Sequence, residues 1–332
     1  MQGGLIAPDH VERFRADLQA LTFDPPASER RLGLAVSGGA DSLALLLLAY
    51  AAWPGAIAAA TVDHGLRVEA AAEAAHVGSI CAQLRVPHAT LRAPSAPPAS
   101  GNLQDRARAL RYELLHRWAQ ANGVHHLATA HQRDDVAESF LQRASRGAGV
   151  RGLAAMPAVR TLDFGTVLLI RPLLGWSRAE LAGIVATAGL TPVGDPSNAD
   201  PRFDRARYRQ LLAANPDLTP AGLALTAAHL RDAEEVLEWT TQREVADRLS
   251  EDDAGNWLDG DGLPFELRRR LVVRAIEAVR QRHGRFEPWR VTAVADLVRA
   301  LDAGRGGTVA DVQGRFVKGR WHFRLAPPRR TG

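Results

Sequence analysis

The sequence predicts an α/β fold: a doubly wound, mostly parallel sheet, followed by a smaller, mainly helical domain with a short β tail. Three observations predict it. Short aliphatic runs alternate with helical patterns from Arg31 to about Ala188, the mark of successive strand-helix-strand units. Near Asn215, Pro216 and Pro220 the pattern changes, and from about Thr219 to Arg282 periodic apolar residues with interspersed charge suggest a helical domain. From Thr308 to Leu325 short β-prone segments follow. At about 150 residues per domain, 332 residues fit two main units. The expected divisions are 1–215, a catalytic α/β domain; 216–300, a helical domain; and 301–332, a small basic β element.

In order, the expected strands are Leu32–Val36, Ala56–Val62, Pro87–Leu91, His125–Thr129 and Val167–Ile170, each a compact run of aliphatic or β-branched residues. Between them, apolar residues at helical spacing predict helices over Leu43–Ala52, Val68–Leu84, Leu103–Ala121, Asp134–Ala144 and Arg178–Ala188. Pro94–Ser100 reads as a loop, and the glycines and arginines of Arg146–Gly152 predict irregular chain. Trp239, Trp257 and Trp289 are expected in the core of the helical domain.

Composition narrows the function. The chain is 46% apolar and 23% charged, which excludes disordered and fibrous classes. No apolar stretch reaches the length of about 18 residues that a membrane span needs, and residues 1–15 lack a secretory pattern, so a cytoplasmic protein with no membrane partner is expected. Cys81 is the only cysteine, which excludes an internal disulfide, a multi-cysteine zinc site and a cluster held by this chain's thiolates alone. Lys318 is the only lysine, so 40 of the 41 basic residues are arginine. A net charge of +4 suits a polyanionic partner, although an arginine-favouring composition would produce the same figure.

The sharpest motif is Ser37-Gly38-Gly39-Ala40-Asp41-Ser42, directly after the first strand and before a leucine-rich helix. Two glycines allow a tight turn that presents consecutive amides to a phosphate, and the helix N-terminus adds a favourable dipole. With no lysine here, this is not the Gly-x-x-x-x-Gly-Lys loop, nor does it match Gly-x-Gly-x-x-Gly. Asp41 inside an anion site implies either a Mg²⁺ between it and the phosphates or a helix cap. The string resembles the pyrophosphate loop of enzymes that cleave ATP between the α and β phosphates. That resemblance implies ATP as cosubstrate, a pyrophosphate cradle of Ser37, Gly38, Gly39, Ala40 and Ser42, and Asp41 near the metal. Asp63 and His64 end the second strand and would lie beside the adenosine.

A second group is His131-Gln-Arg-Asp134-Asp135-Val-Ala-Glu138-Ser139. On a helix, Asp134 and Asp135 stand four and three residues before Glu138, so one face can carry the clustered carboxylates. Either these acids complement the helix dipole, or they form a pocket for a cationic amine with His131 nearby. Then come Arg146-Gly-Ala-Gly-Val-Arg151-Gly-Leu, Arg171-Pro-Leu-Leu, Asp195-Pro-Ser-Asn198 and Phe203-Asp-Arg205-Ala-Arg207-Tyr-Arg209.

In this order and spacing, over about the first 215 residues, the chain resembles the tRNA(Ile)-lysidine synthetase family. It departs from the family pattern at Ser139, where threonine is common, and at Ala206, where asparagine is usual. The resemblance implies an adenine-nucleotide alpha-hydrolase-like sheet and an ATP- and Mg²⁺-dependent ligase. It implies tRNA(Ile) with a CAU anticodon and free L-lysine as partners, with a homodimer as an option. Asp41, Asp135, Glu138, His131 and Arg111 are the implied catalytic set. Arg146, Arg151, Arg205, Arg207 and Arg209 are the implied RNA contacts. A thiolating relative using an external sulfur donor and a noncatalytic, nucleotide-regulated RNA-binding protein are the alternatives.

Overall fold

The structure, a computed structural model, describes residues 6–63, 65, 69–92, 103–154, 156–162, 167–194 and 204–327, without the side chains of 103–105 and 204–205. Of the expectations above, the Pro94–Ser100 loop, His64, Asp195–Asn198, Phe203 and the Arg205 side chain lie outside the described set. The chain divides into two compact units, residues 1–231 and 232–332.

In the first unit the strands are β1 (Leu32–Ala35), β2 (Ile57–Asp63), β3 (His88–Arg92), β4 (His126–Thr129), β5 (Val159–Thr161) and β6 (Leu168–Ile170). They form one sheet in the order β3-β2-β1-β4-β6-β5. All pairs are parallel except β5 with β6. Sequence order reverses at β1, so the ends of β1 and β4 flank the crevice where open α/β sheets bind ligands. The unbroken aliphatic character of β1 and β2 is explained by burial on both faces.

The helices are α1 (Pro8–Gln19), α2 (Ala40–Ala52), α3 (Glu69–Gln83), α4 (Leu103–Ala121), α5 (Arg133–Ala144), α6 (Val150–Leu153), α7 (Arg178–Thr187) and α8 (Asp204–Ala214). On one sheet face Phe14 and Leu18 of α1, the leucines of α2, Val77 and Ile80 of α3 and Leu181 and Ile184 of α7 build the main core. Tyr112, Leu115 and Trp118 of α4 cover the other face. Each predicted strand and helix of this region is present within a few residues. Three elements, α1, β5 and α8, had no counterpart in the sequence reading. Helix α1 buries only Phe14 and Leu18, too few apolar positions to stand out, and is clamped by Trp176 Nε1 donating to Asp17 at 2.7 Å. Strand β5 is a three-residue edge strand with Arg160 at its centre. The segment Arg146–Gly152, expected to be irregular, contains the start of α6. Its single turn is held by Arg143, whose Nη1 donates to the Gly152 carbonyl at 2.8 Å.

Helix α9 (Pro220–Arg248) carries the chain into the second unit. There β7 (Leu249–Asp252), β8 (Gly255–Leu258), α10 (Phe265–Arg282), a 3-10 turn at Val291–Ala293, α11 (Val294–Asp302), β9 (Gly307–Val309), β10 (Val312–Val317) and β11 (Arg320–Leu325) follow. The five strands form an antiparallel sheet in the order β7-β8-β11-β10-β9. This sheet pairs residues 249–258 with residues 307–325, across the division at residue 300 that the sequence suggested. Within the stretch from about Thr219 to Arg282, expected to be a helical domain, a strand pair interrupts the helices at Asp252-Asp253-Ala254-Gly255. Asp252 accepts from the Ala254 and Gly255 amides and turns the chain into a hairpin. The core is Leu271, Ile276 and Val279 of α10, Leu297 and Val298 of α11 and Phe323 of β11. Of the three tryptophans expected in a helical core, Trp289 packs against this cluster, Trp257 lies on β8 against His322, and Trp239 is exposed on α9.

Candidate active site

The turn between β1 and α2 has the geometry that its glycines predict. Gly38 adopts φ +89°, and a Cβ there would meet Val193 Cγ2 at 3.0 Å and Val77 Cγ2 at 3.2 Å. Both the conformation and the space therefore require glycine. Ser42 organises the loop from within: its hydroxyl accepts from the Ser37 amide at 3.1 Å and the Ser37 hydroxyl at 3.2 Å, and donates to the Gly39 carbonyl at 2.9 Å. Ser42 thus spends its donor on the loop. Gly39 is the N-cap of α2 and no side chain caps the first-turn amides, which leaves Ala40, Asp41 and Ser42 presenting N–H groups in the manner of an anion cradle.

Asp41 does not cap α2. Its Oδ1 is buried and has no hydrogen-bond partner. Burial, and then the nearby charge of Asp135, pushes its carboxyl up to about 6, opposed by the Arg178 guanidinium. An unpartnered hard oxygen beside a phosphate loop fits Mg²⁺, which takes one or two protein carboxylates and completes its shell from phosphates and water. Among the described residues no group of three or more His, Cys, Asp or Glu is placed to hold a metal.

The acids of α5 face the same crevice, and each has a distinct task. Asp135 closes a capping box: its Oδ2 accepts from the Gln132 amide at 3.1 Å, while Gln132 Oε1 accepts from the Asp134 amide at 2.5 Å. Asp134 Oδ2 accepts from the Arg178 amide at the start of α7. Glu138 is 2% exposed, and one of its oxygens, Oε1, takes two guanidiniums: Arg178 Nη2 at 3.0 Å and Arg209 Nε at 2.9 Å. Its other oxygen, Oε2, is buried without a hydrogen-bond partner. Two arginines offset the cost of burying this carboxylate, and one lone-pair edge remains for a further donor. His131 is oriented by a 2.9 Å hydrogen bond between its Nδ1 and the Thr129 hydroxyl at the end of β4.

The other expected site residues divide. Asp63 is buried at the end of β2, where its Oδ1 accepts from the Gly65 amide. Arg111 is half-buried on α4, near enough to Tyr112 to act on its phenol. Arg146, Arg151 and Arg207 are exposed. Arg209, expected with the RNA-facing set, donates to Glu138 within the acid cluster. Arg178 and Gln132 were missed by the sequence reading. Arg178 opens α7 in a Ser-x-x-Glu capping box, a signal of a helix start that says nothing of the acids it reaches 40 residues away.

The PP-loop domain family matches residues 11–215. The chain is 43% identical to the tRNA(Ile)-lysidine synthase of Novosphingobium aromaticivorans, over 99% of this chain and 98% of that one. It is 44% identical to the enzyme of the same name from Zymomonas mobilis, over 98% and 97% of the two chains. The chain belongs to the tRNA(Ile)-lysidine synthase family. The likeness runs into the second unit, where the sequence motifs were weakest.

Membership of the lysidine synthase family makes the chain an ATP-using enzyme of the ligase class that forms a carbon-nitrogen bond. Among solved structures, a U34-tRNA thiolase from Methanococcus maripaludis shares the fold, at 18% identity and a TM-score of 0.55 over 69% of this chain and 78% of that one. The one cysteine of this chain, Cys81, is buried, and burial pushes its thiol up to about 11. Ala206, which replaces the family's usual asparagine, is buried at 4% exposure on α8. No helix among the described residues is long and apolar enough to cross a membrane.

Proposed function

We propose that the chain joins free L-lysine, through its side-chain amine, to C2 of the wobble cytidine of tRNA(Ile) with a CAU anticodon. The reaction consumes ATP with Mg²⁺ and releases AMP and pyrophosphate, in the cytoplasm. The observation that supports this most is that Asp135, at the head of the acid cluster, is close enough to Asp41 of the phosphate loop to raise its carboxyl. A site for a cationic amine thereby adjoins a site for a polyphosphate.

In the first step the cytidine O2 attacks the α phosphorus, and the bond to the bridging oxygen breaks with its electron pair leaving on pyrophosphate. Charge accumulates on the departing oxygens, and the uncapped amides of Ala40, Asp41 and Ser42 can receive it without rearrangement. Asp41 would hold Mg²⁺, which supplies neutralisation of phosphate charge when bound.

In the second step the lysine amine attacks C2 and the bond from C2 to the AMP oxygen breaks. An amine of pKa near ~10.4 arrives as ammonium and must lose a proton first. Glu138 Oε2 and Asp135 receive the ammonium, and one of them or His131 takes the proton. Arg111 clamps the nucleotide or the lysine carboxylate. Arg146, Arg151 and Arg207 hold the phosphates of a single-stranded loop whose base can be splayed out at small cost.

The test is incubation of the purified protein with ATP, radiolabelled lysine and tRNA(Ile) carrying the CAU anticodon. Label on the tRNA is the expected result; modification without lysine, or none, would remove this reading.

A further inference from the structure

Around Tyr112, on the sheet face opposite α2, positive charge is concentrated in a way the mechanism above does not use. The Arg108 guanidinium lies 5.3 Å and that of Arg160 5.4 Å from the centre of the Tyr112 ring. Arg108 Nη2 reaches the phenol oxygen at 3.5 Å. Arg171 is 4% exposed, and its Nη1 donates to the Pro157 carbonyl at 2.5 Å. The Nε atoms of Arg160 and Arg171 are buried and have no hydrogen-bond partner. Among the described residues no carboxylate pairs with Arg108, Arg160 or Arg171.

Among the described residues, then, no acid stands beside this cluster. Burial lowers the proton affinity of Arg171, the charge of Tyr112 and a hydrogen bond with it act the other way, and the charges of Arg160 and Arg108 add to the lowering. Burial would raise the Tyr112 phenol, yet Arg108, Arg111, Arg171 and Arg160 hold it below the ordinary phenol range. Arg171 is buried, Arg160 half-buried and Arg108 exposed, and like charges brought together around a buried guanidinium without an acid are costly unless an anion joins them. Guanidiniums are the side chains suited to a phosphate, through their planar fork of donors.

Position identifies the source of the anion. Arg171 directly follows β6, at the carboxyl edge of the sheet, and Arg160 lies on the neighbouring β5. β6 is two strands from β1, whose carboxyl end opens the phosphate loop, a separation of about 10 Å at the usual strand spacing. The polyphosphate already has its cradle at β1. A second phosphate site at this distance along the edge suits the backbone of the polynucleotide whose base enters at β1.

We infer that Arg108 and Arg160, with Tyr112 as platform and the buried Arg171 behind them, form a phosphodiester site for the RNA strand next to the base being modified. The inference rests on the tRNA reading above and adds a contact to it. Arg108 and Arg160 touch the phosphate; Arg171 supplies fixed positive charge.

The experiment titrates an anticodon stem-loop RNA into the full-length protein, and into Arg108→Ala, Arg160→Ala and the double variant, across a series of KCl concentrations. ATP binding is measured alongside. Loss of one single-strand phosphate contact should reduce the slope of log K against log salt by about 0.7, with the double variant no further than about that single contact. ATP affinity should stay within about twofold of wild type, since each decade of affinity corresponds to 1.4 kcal/mol of contact. Arg160→Lys, which keeps the charge, should retain the slope. Without RNA the alanine variants should melt at or above the wild-type temperature, because a repulsion is relieved. An unchanged salt slope, or weakened ATP binding with intact RNA binding, would overturn the site. Wild-type protein that shows the slope yet never attaches lysine would undo the reading of the reaction and leave the phosphate site standing.

Discussion

Arg178 donates from Nη2 to Glu138 Oε1 at 3.0 Å, tying the first turn of α7 to the buried acid of α5. The same guanidinium stands 3.8 Å from Asp135, and the Arg178 amide holds Asp134. One residue therefore fixes all three acids of the cluster. Arg178→Gln keeps a hydrogen-bond donor but removes the charge, and should raise the KM for lysine by about tenfold, equivalent to about 1.4 kcal/mol. The Kd for ATP should hardly change. Steady-state kinetics with lysine varied, beside ATP binding, checks this; equal damage to both would mean that Arg178 only supports the fold.

Glu138→Gln should likewise separate the two half-reactions. The amide keeps the shape but cannot attract an ammonium, so transfer of lysine should fall by about a hundredfold or more while adenylation of the tRNA persists. Removing a buried charge also leaves Arg178 and Arg209 short of a partner, at a cost of about 3 kcal/mol. Trapping of adenylated tRNA in the absence of lysine distinguishes a lost amine site from a general loss of activity.

Asp41 should show opposite effects on stability and activity. Its folded carboxyl is raised to about 6, so the ionised form is disfavoured in the fold and weakens the native state increasingly as pH rises through that value. Asp41→Asn should therefore melt at a higher temperature than wild type at pH 8 in metal-free buffer. The gain should shrink as pH falls below 6 and vanish below about 3.8, where Asp41 is protonated in both the folded and the unfolded chain. Pyrophosphate release should be lost in the same variant. Thermal melts across pH with a pyrophosphate assay test both halves.

Glu180 provides a stability prediction away from the chemistry. Burial would raise its pKa, but the Ser177 hydroxyl and amide and the Arg13 guanidinium bring it down to about 2. Its folded value lies below the unfolded one, so its stabilisation is present above about pH 4.5 and is lost as pH falls through 2. Because the side chain is 35% exposed, solvent screening reduces the contribution to about 1 kcal/mol. Glu180→Gln should lower Tm by a few degrees at pH 7 and by nothing near pH 2.

Gly38→Ala should damage the loop despite its small size. A φ of +89° and Val193 at 3.0 Å from the added methyl both oppose it, at a cost of about 2 kcal/mol. ATP affinity should fall more than the affinity for RNA, as parallel binding titrations would show.

The parallel sheet was legible because β1, β2 and α2 are buried almost throughout and therefore carry unbroken aliphatic runs. The phosphate loop was legible because a tight turn leaves glycine no substitute at Gly38. Helix α1 was not, since its stability lies in Phe14, Leu18 and the contacts of Arg13 and Asp17 with Trp176, none of which is local. The β7–β8 hairpin was hidden by polar residues such as Ser250 and Glu251, which lie on an exposed edge and follow no burial pattern. In the candidate site, helical spacing put Asp134, Asp135 and Glu138 on one face, and the family resemblance singled out Asp135 and Glu138. Their division of labour was legible in neither, because it is set by Arg178 and Arg209 on other helices.

The most direct measurement is product stoichiometry in one reaction containing α-labelled ATP, labelled lysine and tRNA(Ile) with the CAU anticodon. The account predicts one AMP and one pyrophosphate for each lysine bound to RNA. Formation of ADP and phosphate, or AMP release with no lysine on the RNA, would contradict it.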